Sequence, residues 1–472
     1  MTRTGNNAFF VLLTIAVLAA AAFAQADVII INANVRTLTK PAKAEAVAIR
    51  GSRIVAVGSN AAVRKLAGAE TRVIDAEGRL VIPGFNDSHV HFLPLGNTFS
   101  TIALGGSLAE DVLKRIGSYT AVLPEGSWIV GSGLSETFSA EDTARIDKAT
   151  PDHPLFIYLE GAKKALVNSV AADGNARVVE GAELAKFRRV VPKDHSTNYA
   201  KLAETASNYA ASLGITSIQE MSSDDRRDVY RELENAGRLK VRIYDCSELG
   251  GKLQPRKFED SEMVRGGCRK GFWEGDEERI PELERDAAAA DADGLQVMIH
   301  AIGRDANSVV LNIFDAVRKT NGKRDRRFRI EHANGITDSD RKRFAEIPVI
   351  ASFQPHLFRS SATAQIEKFN AAGVRLAFGS DAAMTDMNPL LGIRDAVLGN
   401  GGKFTVEDAV RAYTLGSAYA EFQEDVKGTI ETGKYADLVM LSDDIFSIEP
   451  EKIADARVVM TITAGRVVYR AK

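Results

Sequence analysis

The chain has 472 residues, 45% apolar and 26% charged, the balance of a folded globular protein with room for one large domain and a smaller one. Sixty Lys and Arg against 63 Asp and Glu leave a net charge of −3, which excludes a basic nucleic-acid footprint; the composition also excludes disordered and collagen-like chains. Two cysteines exclude a disulfide-built scaffold and a cysteine-cluster zinc site.

The elements follow in chain order. Arg3 precedes an apolar run from Phe9 to Phe23 that ends in Ala22-Phe23-Ala24, a small-x-small pattern suited to signal peptidase. Residues 1–24 therefore predict a secretory signal, with Gln25 opening the mature chain in the periplasm or outside the cell. The run is short for a full membrane span, and no cysteine stands at the cleavage point to carry a lipid. No other stretch is apolar for long enough to span a bilayer, so no stable span remains after cleavage. In an oxidising compartment Cys246 and Cys268 either pair or stay as two buried thiols, and their spacing alone does not decide between these.

Residues 25–82 read as short strands between turns. Ala26–Ile31 is one; Ala46–Arg50 and Ile54–Val57 flank the turn Gly51-Ser52-Arg53; Val73–Asp75 leads to Glu77-Gly78. Residues 426–472 repeat the style with Ala436–Leu441, Val458–Thr463 and Arg466–Tyr469. β-rich ends around a mixed middle predict one small β-domain built from both termini.

Residues 83–425 alternate. Candidate strands are Phe85–His91, Ile215–Glu220, Lys240–Asp245, Cys268–Trp273, Leu295–His300, Phe328–Ala333, Val349–Gln354 and Arg375–Asp381. Helix-compatible segments such as Arg304–Lys319 and Asp338–Ile347 separate most of them. Strand and helix alternating at this spacing predict a parallel sheet, and eight units predict an α/β fold, a (β/α)8 TIM barrel. Leu93–Ser207 then becomes an insertion with two apolar runs, Trp128–Val130 and Leu155–Leu159. A doubly wound open sheet is the alternative, but no Gly-rich nucleotide turn follows any strand.

Ionisable residues fall at the strand ends. His89 and His91, two apart in a strand, point to one face. Alone, such a pair is more often two surface or packing histidines. Here His300 ends the fifth run, His332 lies near the end of the sixth, Asp381 ends the eighth and Lys270 lies inside the fourth. In a barrel those ends converge on the face where active sites lie. Imidazoles and a carboxylate together suit a zinc-type divalent ion.

Pro83-Gly84-Phe85-Asn86-Asp87-Ser88-His89-Val90-His91 resembles the first-strand signature of the amidohydrolase superfamily. The stretches Leu295–Gly303, Arg329–Ala333 and Phe378–Asp381 resemble its YtcJ-like branch, and Glu431–Leu438 resembles the family's return into the small β-domain. The resemblance covers nearly the whole mature chain. It implies one or two divalent ions held by His89, His91, His300, His332 and Asp381. It also implies that Lys270 is carboxylated, because a lysine carbamate is an anionic oxygen ligand whereas an ammonium is not.

Several positions depart from the family pattern. Glu274-Gly275 stands where Asp-Gly and a long substrate-pocket loop are usual. Glu160-Gly161-Ala162 has alanine where histidine is frequent. Arg304-Asp305 reverses the usual pair, and the histidine of Gln354-Pro355-His356 is displaced by one position. The expected activity is metal-dependent hydrolysis of a non-peptide C–N bond in a small amide-type substrate, with Asp381 as general base and then acid. Ester or phosphoester hydrolysis, a metal-binding barrel without catalysis, and a metal-free binding protein are the alternatives.

Overall fold

The computed structural model describes residues 25–471 apart from 107–109, 135–138, 160, 193–197, 224–225, 252–258, 360–362 and 402. The signal-like segment and Glu160 lie outside the described residues.

Eight parallel strands form one sheet in chain order: β1 (Phe85–Val90), β2 (Ile215–Ser223), β3 (Arg242–Glu248), β4 (Val264–Phe272), β5 (Gln296–Ile302), β6 (Arg329–Asn334), β7 (Ile350–Phe353) and β8 (Leu376–Phe378). The chain beyond β8 joins the sheet's two edges. Asp381 N–H donates to His89 O at 2.7 Å, and Ser380 N–H donates to the Asp87 carboxylate at 2.9 Å. Helices cover the outside through apolar stripes at helical spacing. Arg304–Thr320 buries Val310, Phe314 and Val317 on one face, and Phe314 stacks on Phe328 at 4.4 Å.

Both termini share a second unit. A six-stranded sheet joins Asn34–Arg36, Lys43–Ala44 and Leu80–Pro83 to Leu438–Leu441, Val458–Thr463 and Arg466–Arg470. A four-stranded sheet holds Ala26–Ile31, Ala46–Arg50, Arg53–Gly58 and Ala67–Asp75. Arg242 of β3 ties this unit to the barrel. Its guanidinium forks onto Asp437 at 2.7 and 3.0 Å and lies 3.7 Å from the Tyr435 ring centroid. The insertion after β1 folds a five-stranded sheet of its own, containing Ile129–Leu134 and Leu155–Leu159. Among the described residues no helix is long and apolar enough to cross a membrane.

The fourth strand differs most from expectation. It begins at Val264 rather than Cys268 and runs through Gly266-Gly267. A glycine pair reads as a loop, but Gly267 has φ +138°, a conformation open to glycine, and the pairing with β3 shifts register just there. Cys246 of β3 and Cys268 of β4 are register partners, and the structure joins them as a disulfide between fully buried positions.

Candidate active site

The barrel brings six side chains to its C-terminal mouth. His89 lies one residue before the end of β1, and His91 is the residue before the helix Phe92–Thr98. Lys270, His300 and His332 lie on β4, β5 and β6, and Asp381 lies three residues past β8. His89 Nε2 and His91 Nε2 each stand 3.4 Å from Asp381 Oδ1. The His332 ring is 4.9 Å from that of His89 and 4.5 Å from that of His300. Single ligand atoms of His89, His332 and Asp381 all lie within 4.8 Å of one another.

Local backbone aims two of these groups. In a regular strand Arg329 and Glu331 share a face and His332 takes the other. His332 has φ +74°, which breaks the alternation, and its ring joins the cluster beside Glu331. Asp381 has φ +62°, a second non-glycine residue in left-handed backbone. Such backbone is costly and gathers at functional sites.

The ring nitrogens are sorted by their partners. His89 Nδ1–H donates to Glu331 Oε2 at 2.6 Å, and His332 Nδ1–H donates to Gln354 Oε1 at 2.7 Å. Carboxylate and carbonyl oxygens only accept, so each Nδ1 keeps the proton and each Nε2 is left as a lone pair. Burial holds all four imidazoles below their ordinary pKa, His91 and His300 at about 4 with Lys270 as the next cause. They are therefore neutral at pH 7, the form that binds metal. Burial pushes Asp381 up to about 6, while Lys270 pulls it down. It pushes the Lys270 amine down to about 8, against the raising effect of Glu331 and Asp381. His89 Nε2, Lys270 Nζ and Asp381 Oδ1 are buried without a hydrogen-bond partner. Three such atoms facing one space are what a bound cation, with lysine as an oxygen-bearing carbamate, would satisfy.

Sequence reasoning assigned no role to Glu331 or Gln354. Arg329, wholly buried, sets its Nε 2.9 Å from Glu331 Oε1. Its other nitrogens donate to Ser88 O, Ser352 Oγ and Gln219 Oε1. Arg329→Met leaves a buried carboxylate without its countercharge and is expected to cost about 3–5 kcal/mol, read as a lower denaturant midpoint. A loss under about 1 kcal/mol would show that Glu331 needs no such partner. The displaced His356 is held away from the cluster, its Nδ1 2.7 Å from Asp395 Oδ2. Beyond β4, Glu274-Gly275 runs straight into a turn capped by Asp276 and the helix Ile280–Ala292.

A nearly closed parallel barrel with neutral imidazoles and a carboxylate at its C-terminal mouth defines the class: a metal-dependent hydrolase. Residues 72–469 match the model of the amidohydrolase family, and the chain belongs to that family, in its YtcJ-like branch. It is similar to Protein LONG AFTER FAR-RED 3 of Arabidopsis thaliana, with 30% identity over 94% of this chain and 92% of that one. It is also similar to the N-substituted formamide deformylase of Arthrobacter pascens, with 24% identity over 94% and 98% of the two chains. In fold it resembles an uncharacterized metal-dependent hydrolase from Pyrococcus furiosus, with TM-score 0.60 and 23% identity over 89% of this chain and all of that one. The protein is thus a metal-dependent hydrolase of carbon–nitrogen bonds.

Proposed function

We propose that this hydrolase takes a small, non-peptide amide-type substrate, an N-acyl or N-formyl compound, and works with one or two zinc ions. His89, His91, His300, His332, Asp381 and a carboxylated Lys270 would hold them. The observation that carries this is the set of buried, unpartnered atoms on His89, Lys270 and Asp381 facing one space. Such an ion supplies a Lewis acid for the carbonyl and brings the pKa of a water it holds to about 7.

The chain's own residues do the rest. Glu331 and Gln354 orient the His89 and His332 rings. The Asp381 carboxylate takes the proton of the attacking water as its oxygen bonds to the carbonyl carbon. It returns that proton to the nitrogen as the C–N bond breaks, so products leave and the carboxylate is restored. The relative named as an N-substituted formamide deformylase supports an N-formyl or N-acyl substrate.

We place the mature protein in the periplasm or outside the cell. The signal-like residues 1–24 and the Cys246–Cys268 disulfide support this.

Metal analysis of the purified protein, joined to a turnover screen of N-acyl and N-formyl compounds, tests the reading. Metal with amide turnover is expected; metal-loaded protein inert on a broad panel would defeat the substrate assignment. Lys270→Ala is expected to lose one ion of a pair, with short carboxylic acids restoring part of the activity. An unmodified Lys270 ammonium in metal-loaded protein would end the carbamate assignment.

A further inference from the structure

Seven large apolar side chains are exposed among the described residues: Val73, Val170, Val190, Phe272, Ile302, Met384 and Leu398. Val73 lies in the small β-domain, Val170 and Val190 in the insertion, and Leu398 on the outer helix Pro389–Gly399. Scattered singly, such residues need no explanation. The other three are not scattered. Phe272 ends β4 two residues after Lys270, and Ile302 ends β5 two residues after His300. Strand alternation gives each the face of the group before it, one step further toward solvent. Met384 follows Asp381, and its N–H donates to Asp381 O at 2.8 Å. Phe272 touches the site itself: its ring centroid is 4.4 Å from Lys270 Nζ and 5.9 Å from the His300 ring. Across the mouth the half-buried Phe358 ring lies 5.6 Å from His332.

We propose that Phe272, Ile302, Met384 and Phe358 form an apolar subsite above the metal ligands, taking an uncharged alkyl or aryl group that the substrate carries beyond its scissile bond. This rests on the amide-hydrolase reading and adds the substrate's chemical class to it. Apolar side chains kept in water at a mouth are stabilised only when a ligand covers them. Phe272, at the start of the short connection after β4, is 38% exposed. The competing chemistry is a carboxylate-bearing substrate, for which Arg359, exposed next to Phe358, and Arg304, exposed two residues beyond Ile302, are the cations nearest along the chain.

Straight-chain hydroxamic acids, from acetohydroxamate to octanohydroxamate, test this by calorimetry on zinc-loaded protein. Affinity is expected to rise about three- to fourfold per added methylene while the chain crosses the rim. Succinic acid monohydroxamate, which ends in a carboxylate, should bind more weakly than butanohydroxamate. In Ile302→Ser/Met384→Ser, and separately in Phe272→Ser, the gain over acetohydroxamate in the same variant should shrink. A wild-type series flat with chain length, variants that keep the full gain, or tighter binding of the charged probe overturns the subsite. An amide panel on the same protein reads the reaction separately. A kept slope without amide turnover leaves the subsite standing and removes the amide reading; turnover with a flat slope removes the subsite alone.

Discussion

Replacing His89 and His91 together by alanine is expected to leave the purified protein without bound divalent metal, whereas wild type is expected to hold one or two ions. Both Nε2 atoms stand 3.4 Å from the same Asp381 oxygen, so the double change removes two of the nitrogens nearest that carboxylate. Neutral imidazoles are the cluster's best ligands for a zinc-type ion, and burial keeps both neutral at pH 7. Losing His89 also strips the Glu331 carboxylate of the N–H it accepts at 2.6 Å, so some stability should be lost without any metal effect. Two measurements keep these apart. Elemental analysis reads occupancy directly. The thermal midpoint with and without added zinc reads linkage, because an ion that binds only the folded chain raises the midpoint. Wild type should respond to zinc and the double variant should not. Wild-type occupancy in the double variant would show that the ion sits elsewhere.

How much of this site is legible in sequence depends on what strand alternation transmits. Apolar runs mark the eight strands, so the barrel and the placing of His89, His91, Lys270, His300, His332 and Asp381 at or near strand ends follow from pattern and topology. Where backbone leaves the regular strand, the pattern goes silent. Glu331 and His332 are neighbours, and alternation gives only one of them to the mouth; the positive φ of His332 places both there. A signal for Glu331 existed. Arg329 and Glu331 are charged residues two apart in a strand of a parallel barrel, where both faces are buried, so they must find partners. The start of β4 is hidden for a similar reason, since Gly266-Gly267 reads as a break and the structure uses it as a register shift. The disulfide needs Cys246 and Cys268 to be register partners on adjacent strands, which follows only once β4 starts at Val264.

Asp381→Asn is expected to keep the fold and most of the metal while lowering turnover by a factor of about 10²–10⁴, the usual worth of general acid–base participation. The substitution is nearly isosteric, and asparagine is among the few side chains that tolerate left-handed backbone, so the φ of +62° is no obstacle. The backbone bond from Asp381 N–H to His89 O, which helps join the eighth strand to the first, is untouched. What changes is proton chemistry. Asp381 Oδ1 is buried, faces His89 and His91, and has no hydrogen-bond partner; a carboxylate there can take a proton and give it back, and a carboxamide cannot. If Asp381 were only structural, holding the turn that leads to Met384, the variant would melt earlier and its turnover per folded molecule would equal that of wild type. Rate, metal content and thermal midpoint measured on one preparation separate the two cases. A fully folded, metal-loaded Asp381→Asn with wild-type turnover would mean that the proton leaves by another group, although among the described residues Asp381 is the carboxylate within ion-pair distance of both His89 and His91.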